Sequence, residues 1–502
     1  MAEVKQLGYI PLSARRVSKV LGMLLMALAA TMLSGVAVAV FYDEARATIA
    51  FTAAASITFV SGLLLRFAGW KAFGQLSRRD ALLIVGLGWL LTGALGALPY
   101  LFDGTFTSFV DAFFETLSGF TTTGASVLTD IEGSCSKAIL FWRSLTQWLG
   151  GMGIIVLFVA VFPQMGARYL FQNEVPGPIA EDLKPKIKET SKVLWILYAG
   201  LTLINALLLW GPGGMTLFDA ICHAFTTLST GGFSTKNASI GHFYANPAVD
   251  IITTVFMMLA GVNFSLYYLA VFQRNLRRAL RDRELWLYTA CFVLVSLAVA
   301  FSLFIAASPQ DEHTYAQPLT ALRDAAFTTA SLVTSTGFGN SNSVLWPPFT
   351  TLLLVFVMLV GGSAGSTAGG IKVFRLLVLA KASYNELFRT FRPQFVRTLR
   401  IGSNPVRAEI VHGIAVFFAI YVLLLIAGAL FVAAYGHDLI TSSTAALACL
   451  SNMGPGFGEV GPYGNFAAFE PPVKVMLTLL MVLGRLELFT LLVLLVPAFW
   501  RR

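Results

Sequence analysis

The sequence has little charge and few of the residues from which enzymes and metal centres are built. Only 12% of its 502 residues are Asp, Glu, Lys or Arg. Its five histidines form no HExxH motif and no paired spacing inside an apolar run, so neither a zinc nor a haem site is indicated. The four cysteines have no CxxC spacing, which predicts neither a metal cluster nor a disulfide framework. We therefore expect no enzyme and no resident cofactor.

Apolar residues, by contrast, are abundant. Hydrophobic residues make up 56% of the chain and the mean hydropathy is +0.74, values typical of membrane proteins. An apolar run of about 20 residues is long enough to cross a bilayer as a helix. The runs predict an all-α polytopic membrane protein with an even number of crossings and both termini on one side. The predicted crossings are residues 20–41, 47–65, 81–102, 138–162, 193–210, 251–272, 285–307, 349–382, 411–434 and 473–499.

The basic residues are distributed unevenly over this topology. Most of the 35 lysines and arginines fall on the side that holds the two termini. Lysine and arginine are enriched in cytoplasmic loops, so this side is predicted to be the cytoplasmic one. The formal net charge of +9 then has a topological cause and gives no reason to expect a nucleic-acid partner.

Four Gly-centred polar motifs follow short, semi-apolar stretches on the opposite side. Their glycines recur about every 110 residues, which indicates an internal fourfold repeat. The chain then divides into two preceding helices (1–80) and four pore repeats (81–192, 193–284, 285–407 and 408–502). The motifs are Thr121-Thr122-Thr123-Gly124-Ala125, Leu228-Ser229-Thr230-Gly231-Gly232, Thr334-Ser335-Thr336-Gly337-Phe338 and Ser451-Asn452-Met453-Gly454-Pro455.

The stretch before each motif is too short to span a bilayer, so it is predicted to be a half-helix that enters the membrane and returns. Its C-terminal end would carry about half a negative charge near the membrane centre, which favours a cation there. Backbone carbonyls after the half-helix can replace a cation's hydration shell. An aspartate near the start of each half-helix is predicted to cap it, either as an ordinary N-cap or with an additional influence on ions. These aspartates are Asp111, Asp219, Asp324 and Asp438.

At these motifs the sequence resembles the Trk/Ktr/HKT superfamily of potassium transporters, and most closely its bacterial TrkH-type pore subunits. The resemblance covers nearly the whole chain, including two helices before the first repeat. It implies a pseudo-fourfold pore with one ring of filter glycines, and glycine at all four ring positions implies potassium as the transported ion. The residues it assigns to the ring and its ion-coordinating carbonyls are Thr122, Thr123, Gly124, Ser229, Thr230, Gly231, Ser335, Thr336, Gly337, Asn452, Met453 and Gly454.

The resemblance also implies a location and partners. It places the chain in the bacterial cytoplasmic (inner) membrane as a homodimer in which each protomer has its own pore. A cytoplasmic nucleotide-binding regulatory ring of the TrkA type would dock on residues 163–192, 273–285 and 383–407. The basic loops could equally contact only anionic membrane lipid.

The eighth crossing contains five glycines within ten residues, which is enough to break a helix. The stretch lacks the GKS/T ending of a phosphate-binding loop. It resembles the intramembrane gating loop of TrkH-type proteins, which would block the pore below the filter and clear it when pulled aside. A break that serves only close packing is the alternative. The residues assigned to this gate are Gly361, Gly362, Gly365, Gly369, Gly370 and Lys372.

Arg485 lies in the tenth crossing, where an arginine costs at least a few kcal/mol unless it faces water or a partner. Glu487 is predicted to point to another face of the helix and to be a poor partner. The resemblance implies a pore-facing arginine that raises the barrier to cations and pairs with the gating loop. Snorkelling of Arg485 to the interface is the alternative.

The function predicted from these features is potassium uptake through a channel-like pore. The alternative is a symporter that couples the cation to protons or sodium, because such proteins also use broken helices. Symporters usually contain inverted repeats, whereas the four motifs here lie on one side of the predicted topology.

Overall fold

The computed structural model describes residues 12–72, 74, 76–153, 187–308, 313–392, 394, 399–401 and 404–501. Within these ranges the fold is helical apart from one two-residue antiparallel pair, β1 (Arg400–Ile401) with β2 (Asn404–Pro405), and the predicted all-α class is confirmed. Two predicted features lie partly outside the described residues. They are the end of the fourth crossing and residues 163–186 of the first docking segment.

Two long helices, α1 (Ala14–Phe41) and α2 (Ala45–Ala68), precede the repeats and pack along each other. Arg16 at the start of α1 pairs with Asp80 at 2.8 Å. The neighbouring Arg79 donates to the carbonyl of Arg501 at 2.8 Å. The beginning of α1 and the end of the described chain therefore lie on the same side of the molecule.

Repeats 1 and 2 each contain a first helix, a short pore helix and a second helix. Repeat 1 has the first helix α3 (Arg78–Gly96) with its continuation α4 (Leu98–Asp103), the pore helix α5 (Phe109–Phe120), the short α6 (Ile131–Ser134) and the second helix α7 (Lys137–Gly151). Repeat 2 has the first helix α8 (Ile187–Trp210), the pore helix α9 (Leu217–Leu228), the second helix α10 (Pro247–Ala260) with α11 (Phe264–Tyr267), and the short α12 (Leu276–Leu280).

Repeats 3 and 4 follow the same order. Repeat 3 has the first helix α13 (Arg283–Ile305), the pore helix α14 (Pro318–Val333) and a second helix in two pieces, α15 (Pro348–Val360) and α16 (Val373–Phe391). Repeat 4 has the first helix α17 (Ala408–Ala433), the pore helix α18 (Leu439–Leu450), the second helix α19 (Pro471–Arg485) with α20 (Phe489–Leu492), and the terminal α21 (Pro497–Trp500).

The second helices begin at residues that favour the start of a helix. Pro247, Pro348 and Pro471 occupy the first position of α10, α15 and α19, where proline's missing N–H costs nothing and its φ suits a helix. In repeat 1 the carboxylate of Glu44, from the turn between α1 and α2, accepts the N–H of Lys137 at 2.6 Å. The two preceding helices thereby fix the start of α7.

The second helices of repeats 2, 3 and 4 are interrupted, although the sequence predicted an interruption in repeat 3 only. The α10–α11 pair bends by 93° and α19 turns by 110° into α20, while the described part of α7 ends at Gly151. Glycine permits these breaks because another backbone comes close: a methyl group on Gly150 would lie 1.9 Å from the Phe120 carbonyl, and one on Gly484 would lie 2.1 Å from that of Leu450. Each break therefore lies against the end of a pore helix.

The distribution of polarity is that of a membrane pore. Large apolar side chains on the preceding helix α2 and on the first helices α13 and α17 are exposed, as at Ile49, Leu294 and Leu423. Serine and threonine hydroxyls at the ends of the pore helices are buried inside instead. Among the residues that the structure describes, six helices are long and apolar enough to cross a membrane, and two bent pairs add two more spans. The chain is a multi-pass membrane protein.

Candidate functional site: a glycine ring and the loop beneath it

Each pore helix ends in the same tight turn. The residue after the helix cap has a left-handed backbone with φ between 52° and 54°, and the next N–H bonds to a carbonyl five residues back at 2.8 to 2.9 Å. A left-handed backbone is uncommon outside glycine, so its recurrence indicates a geometry imposed by the surroundings. The four left-handed residues are Thr122, Thr230, Ser335 and Asn452.

The segments that follow these turns form a closed ring. A methyl group on Gly124 would lie 2.0 Å from the carbonyl oxygen of Gly231, and one on Gly232 would lie 1.9 Å from that of Thr336. A methyl group on Gly337 would meet Pro455 at 2.6 Å, and one on Gly454 would meet the carbonyl oxygen of Gly124 at 2.6 Å. Each repeat therefore abuts the next, the fourth abuts the first, and no side chain fits at these positions.

Repeat 2 enters the ring with Gly232 rather than with the predicted Gly231. Gly232 lies two residues after the left-handed Thr230 and has φ +77°, close to the +83° of Gly124 in the same place after Thr122. The prediction took the first glycine of the Gly231-Gly232 pair as the ring residue, which is one residue too early. Ser229 accordingly precedes the turn, as Thr121 does in repeat 1. The triplets predicted for repeats 1, 3 and 4 occupy equivalent positions.

Two ion pairs between a pore helix and a second helix join neighbouring repeats outside the ring. Lys474 of α19 contacts Asp111 of α5 at 2.7 Å, which joins repeat 4 to repeat 1. Arg323 of α14 contacts Asp250 of α10 at 2.6 Å, which joins repeat 3 to repeat 2. The base and the acid have exchanged places between the two seams, so each pair discriminates against the wrong neighbour.

The ring has the chemistry of a site for a dehydrated cation. The C-terminal ends of the four pore helices converge on it, and each such end carries about half a negative charge. The backbone carbonyls of Gly124, Gly231 and Thr336 lie at the ring, and a cavity of about 130 Å³ opens outside it with all four ring glycines in its wall. Oxygen ligands around a narrow axis replace the water shell of a cation.

A buried loop, residues 361–372, lies directly beneath the ring. Thr367 donates its hydroxyl to the carbonyl of Leu228 in repeat 2 at 3.2 Å. Gly369 donates its N–H to the Ser335 hydroxyl at 2.6 Å, and a methyl group on Gly369 would lie 2.0 Å from the Ser451 carbonyl. The predicted gate glycines are thus brought together under the filter segments of three repeats.

Arg485 connects this loop to the remaining repeat. Its guanidinium donates to the carbonyl of Thr367 at 2.9 Å and to those of Gly150 and Gly151 at 2.7 and 3.2 Å. The sequence placed Arg485 in the middle of a helix, but it is the last residue of α19, at the 110° turn. The break frees the side chain to reach three carbonyls, two of them at the negative end of α7.

Charged residues hold the far side of the loop. Lys372 is buried with its ammonium 3.8 Å from the carboxylate of Glu487, which also pairs with Arg375. Glu487 therefore points away from Arg485 and towards the start of α16. On the opposite flank the carboxylate of Glu284 accepts the N–H of Ala364 at 2.6 Å. Both contacts tie the loop to neighbouring helices.

The four pore-helix aspartates do not share the predicted capping role. Asp438 caps α18 by accepting the N–H groups of Ile440 and Thr441. Asp111 instead pairs with Lys474, and Asp324 lies within α14 and pairs with His313 at 2.6 Å. In repeat 2 the cap is Thr216, whose hydroxyl contacts Asp219. The four aspartates therefore serve different contacts in the four repeats.

Several buried polar residues near the ring escaped the sequence argument. Gln147 and Arg143 lie on α7, and Arg143 pairs with Glu115 at 2.9 Å while donating to the Ser234 carbonyl at 3.0 Å. The rule that singled out Arg485, a polar residue inside an apolar run, applies equally to these positions. Applied to every crossing, it would have found them.

Comparison with known proteins gives the family. The family model TrkH, described as a cation transport protein, matches residues 45–502. The chain belongs to this family. It is 38% identical to the Trk system potassium uptake protein TrkH of Salmonella typhimurium, over 97% of this chain and 99% of that protein. It is 34% identical to the Trk system potassium uptake protein TrkG of Escherichia coli K12, again over 97% and 99% of the two chains.

A solved structure agrees with the fold. The crystal structure of the potassium transporter TrkH from Vibrio parahaemolyticus superposes with a TM-score of 0.86 at 36% identity, covering 98% of this chain and all of that one. The relatives are named as transport proteins and not as enzymes, in agreement with the sequence prediction.

Proposed function

We propose that this chain takes up potassium through a channel-like pore whose selectivity filter is the glycine ring. The observation that carries the proposal is the closed ring itself, in which Gly124, Gly232, Gly337 and Gly454 each abut the next repeat. A ring this close leaves the axis to backbone carbonyls, which suits a cation without its water shell. The names of the relatives, which are potassium uptake proteins, supply the ion.

The loop at 361–372 acts in this proposal as the gate. It is supported by its place below three filter segments and by its hydrogen bonds to Leu228 and Ser335. Arg485 tethers the loop to repeat 1 and adds a positive charge to the cation path. In a membrane interior such a charge opposes a passing cation strongly, because the effective dielectric constant is low. Conduction then requires that the tether open.

The proposal includes the location and partners. Exposed arginines in the segment 274–283 support a cytoplasmic face on the side of the two termini. Both termini then lie on the cytoplasmic side of the bacterial inner membrane. The same surface suits a cytoplasmic regulatory ring of the TrkA type, and the family supports a homodimer with one pore in each protomer.

Potassium uptake in cells that lack their own uptake systems tests this function. The chain should restore growth at low external potassium, whereas an empty vector should not. Replacing potassium by sodium at equal ionic strength distinguishes selective uptake from a general leak. Failure to restore growth in cells that also supply a TrkA-type partner, with the chain present in the membrane, would contradict potassium uptake.

A further inference from the structure

Gln147 lies behind the filter segment of repeat 2 and contacts it at two points. The residue is fully buried on α7 of repeat 1. Its side-chain Nε2 donates to the carbonyl of Gly231 at 2.7 Å, and its Oε1 accepts the N–H of Phe233 at 3.0 Å. One amide therefore spans Gly232 and satisfies the backbone on both sides of this ring glycine.

The other repeats hold the same place with their own side chains. In repeat 1 the hydroxyl of Thr123 bonds to that of Thr121 at 2.7 Å, and in repeat 3 the hydroxyls of Thr336 and Thr334 are also 2.7 Å apart. In repeat 4 the equivalent residue is Met453, and the amide of the preceding Asn452 donates to the Met481 carbonyl at 2.7 Å. Each of these segments is fixed by a residue that lies within the filter motif.

Repeat 2 has glycine where repeats 1 and 3 have threonine. Gly231 has no side chain to bond, and glycine is the residue with the greatest backbone freedom. A methyl group on Gly231 would lie 2.4 Å from the Gln147 amide, so that amide fills the place of the missing side chain. Gln147 lies three residues before Gly150 and four before Gly151 on its second helix. The residues at the same place on the second helices of repeats 2 and 4 are Met257, four before Gly261, and Met481, three before Gly484. Neither can donate such a bond.

The contact bears on ion binding because it involves a filter carbonyl. Selectivity in a carbonyl filter depends on the size of the ring and on the strength and number of its oxygen dipoles. The Nε2–H bond fixes the position of the Gly231 oxygen and occupies one of its two lone pairs. Loss of the bond changes both the position and the field of one oxygen among those of the ring.

We propose that Gln147 is a positioning residue for ion selectivity, which fixes the Gly231 carbonyl of repeat 2 at the position where repeats 1 and 3 have a threonine. The inference rests on the proposed filter function. Gln147 itself does not touch the ion; it acts through the backbone of the neighbouring repeat.

The test is the potassium-to-sodium permeability ratio of the full-length chain in reconstituted bilayers, measured together with potassium flux. Gln147→Met keeps the volume, introduces the residue found in repeats 2 and 4, and removes both hydrogen bonds. We expect the ratio to fall roughly fivefold, the size expected for one net hydrogen bond. Gln147→Asn keeps the amide but is one methylene too short to make both hydrogen bonds, so it should also lower the ratio. This variant keeps the test usable if Gln147→Met does not fold.

Ser144→Ala is the matched control. Ser144 is buried on the same helix and donates to the Leu140 carbonyl, so its loss should leave the ratio unchanged. An unchanged ratio in the Gln147 variants that reach the membrane would overturn the positioning role while leaving potassium uptake intact. A wild-type chain without potassium-selective flux would overturn the proposed function and this inference together.

Discussion

In the ring, the left-handed turn recurs in all four repeats with φ between 52° and 54°, whereas at the level beneath it the second helices of repeats 2, 3 and 4 break in different ways. Repeat 3 contributes a twelve-residue loop, 361–372, and repeat 4 contributes Arg485. A cation on the axis meets the same backbone geometry from every repeat of the ring. A gate, by contrast, needs one part that moves and one that holds it. In the proposed function, symmetry is therefore kept at the filter and lost at the gate.

The largest effect should come from disturbing the symmetric level. Gly232→Ala places a methyl group 1.9 Å from the Thr336 carbonyl at a φ of +77°. A left-handed backbone alone costs about 1–2 kcal/mol for such a residue, and the close contact adds to this. We expect potassium uptake to fall at least about tenfold.

Gly231→Ala shows which of the two adjacent glycines, Gly231 or Gly232, is the ring residue of repeat 2. Gly231 has no left-handed φ, and its methyl group would meet only the Gln147 side chain, so the loss of uptake should be smaller. Gly200→Ala, with open space around it, is the control for expression. A Gly231 variant that loses more uptake than the Gly232 variant would restore the register expected from the sequence.

The next effect concerns the asymmetric level and has the opposite sign. A unit charge at roughly 10 Å and an effective dielectric constant of about 20 costs a passing cation about 1.7 kcal/mol. Arg485→Ala removes this charge together with the bonds to Thr367 and Gly150, so potassium flux in the absence of a regulator should rise about tenfold.

Arg485→Lys separates the charge from the tether. Lysine keeps the charge but lacks the planar fork that reaches several carbonyls at once. Flux near that of the wild type would assign the barrier to charge, and flux near that of the Ala variant would assign it to the tether. A flux that neither substitution changes would remove Arg485 from the gate.

The smallest effect should come from the flank of the loop. Glu284→Ala deletes the acceptor of the Ala364 N–H, a contact with a charged group worth about 1.5–3 kcal/mol at most. We expect a severalfold rise in basal flux because the closed loop loses one anchor. Glu284→Gln keeps an acceptor and should behave nearly as the wild type; equal leak in both variants would show that the loop does not depend on this contact.

Much of this architecture follows from local sequence. Apolar length predicts the helices, and the motif period predicts the repeats, because each is a property of a continuous segment. Gly231 was misassigned because two adjacent glycines both satisfy a spacing rule, and only the left-handed φ of Thr230 fixes the register. The breaks at Gly261 and Gly484 were missed because single glycines are tolerated in helices, and their role depends on which groups approach them: the Tyr288 side chain at Gly261 and the Leu450 carbonyl at Gly484.

The partners of charged residues could not be predicted either. Glu487 pairs with Arg375 across 112 positions of sequence, and Arg485 reaches Gly150 across 335. Such contacts depend on how the repeats close into a ring, which is a property of the whole chain. The sequence showed that Arg485 needs a partner but not where the partner lies.

The most direct test of the division between filter and gate is the reversal potential with potassium on one side of a reconstituted bilayer and sodium on the other, measured for the wild type, Gly124→Ser and Arg485→Ala. The account predicts that Gly124→Ser lowers the potassium-to-sodium permeability ratio, whereas Arg485→Ala raises the current and leaves the ratio unchanged. An unchanged ratio for Gly124→Ser, or an equal fall in the ratio for Arg485→Ala, would contradict it.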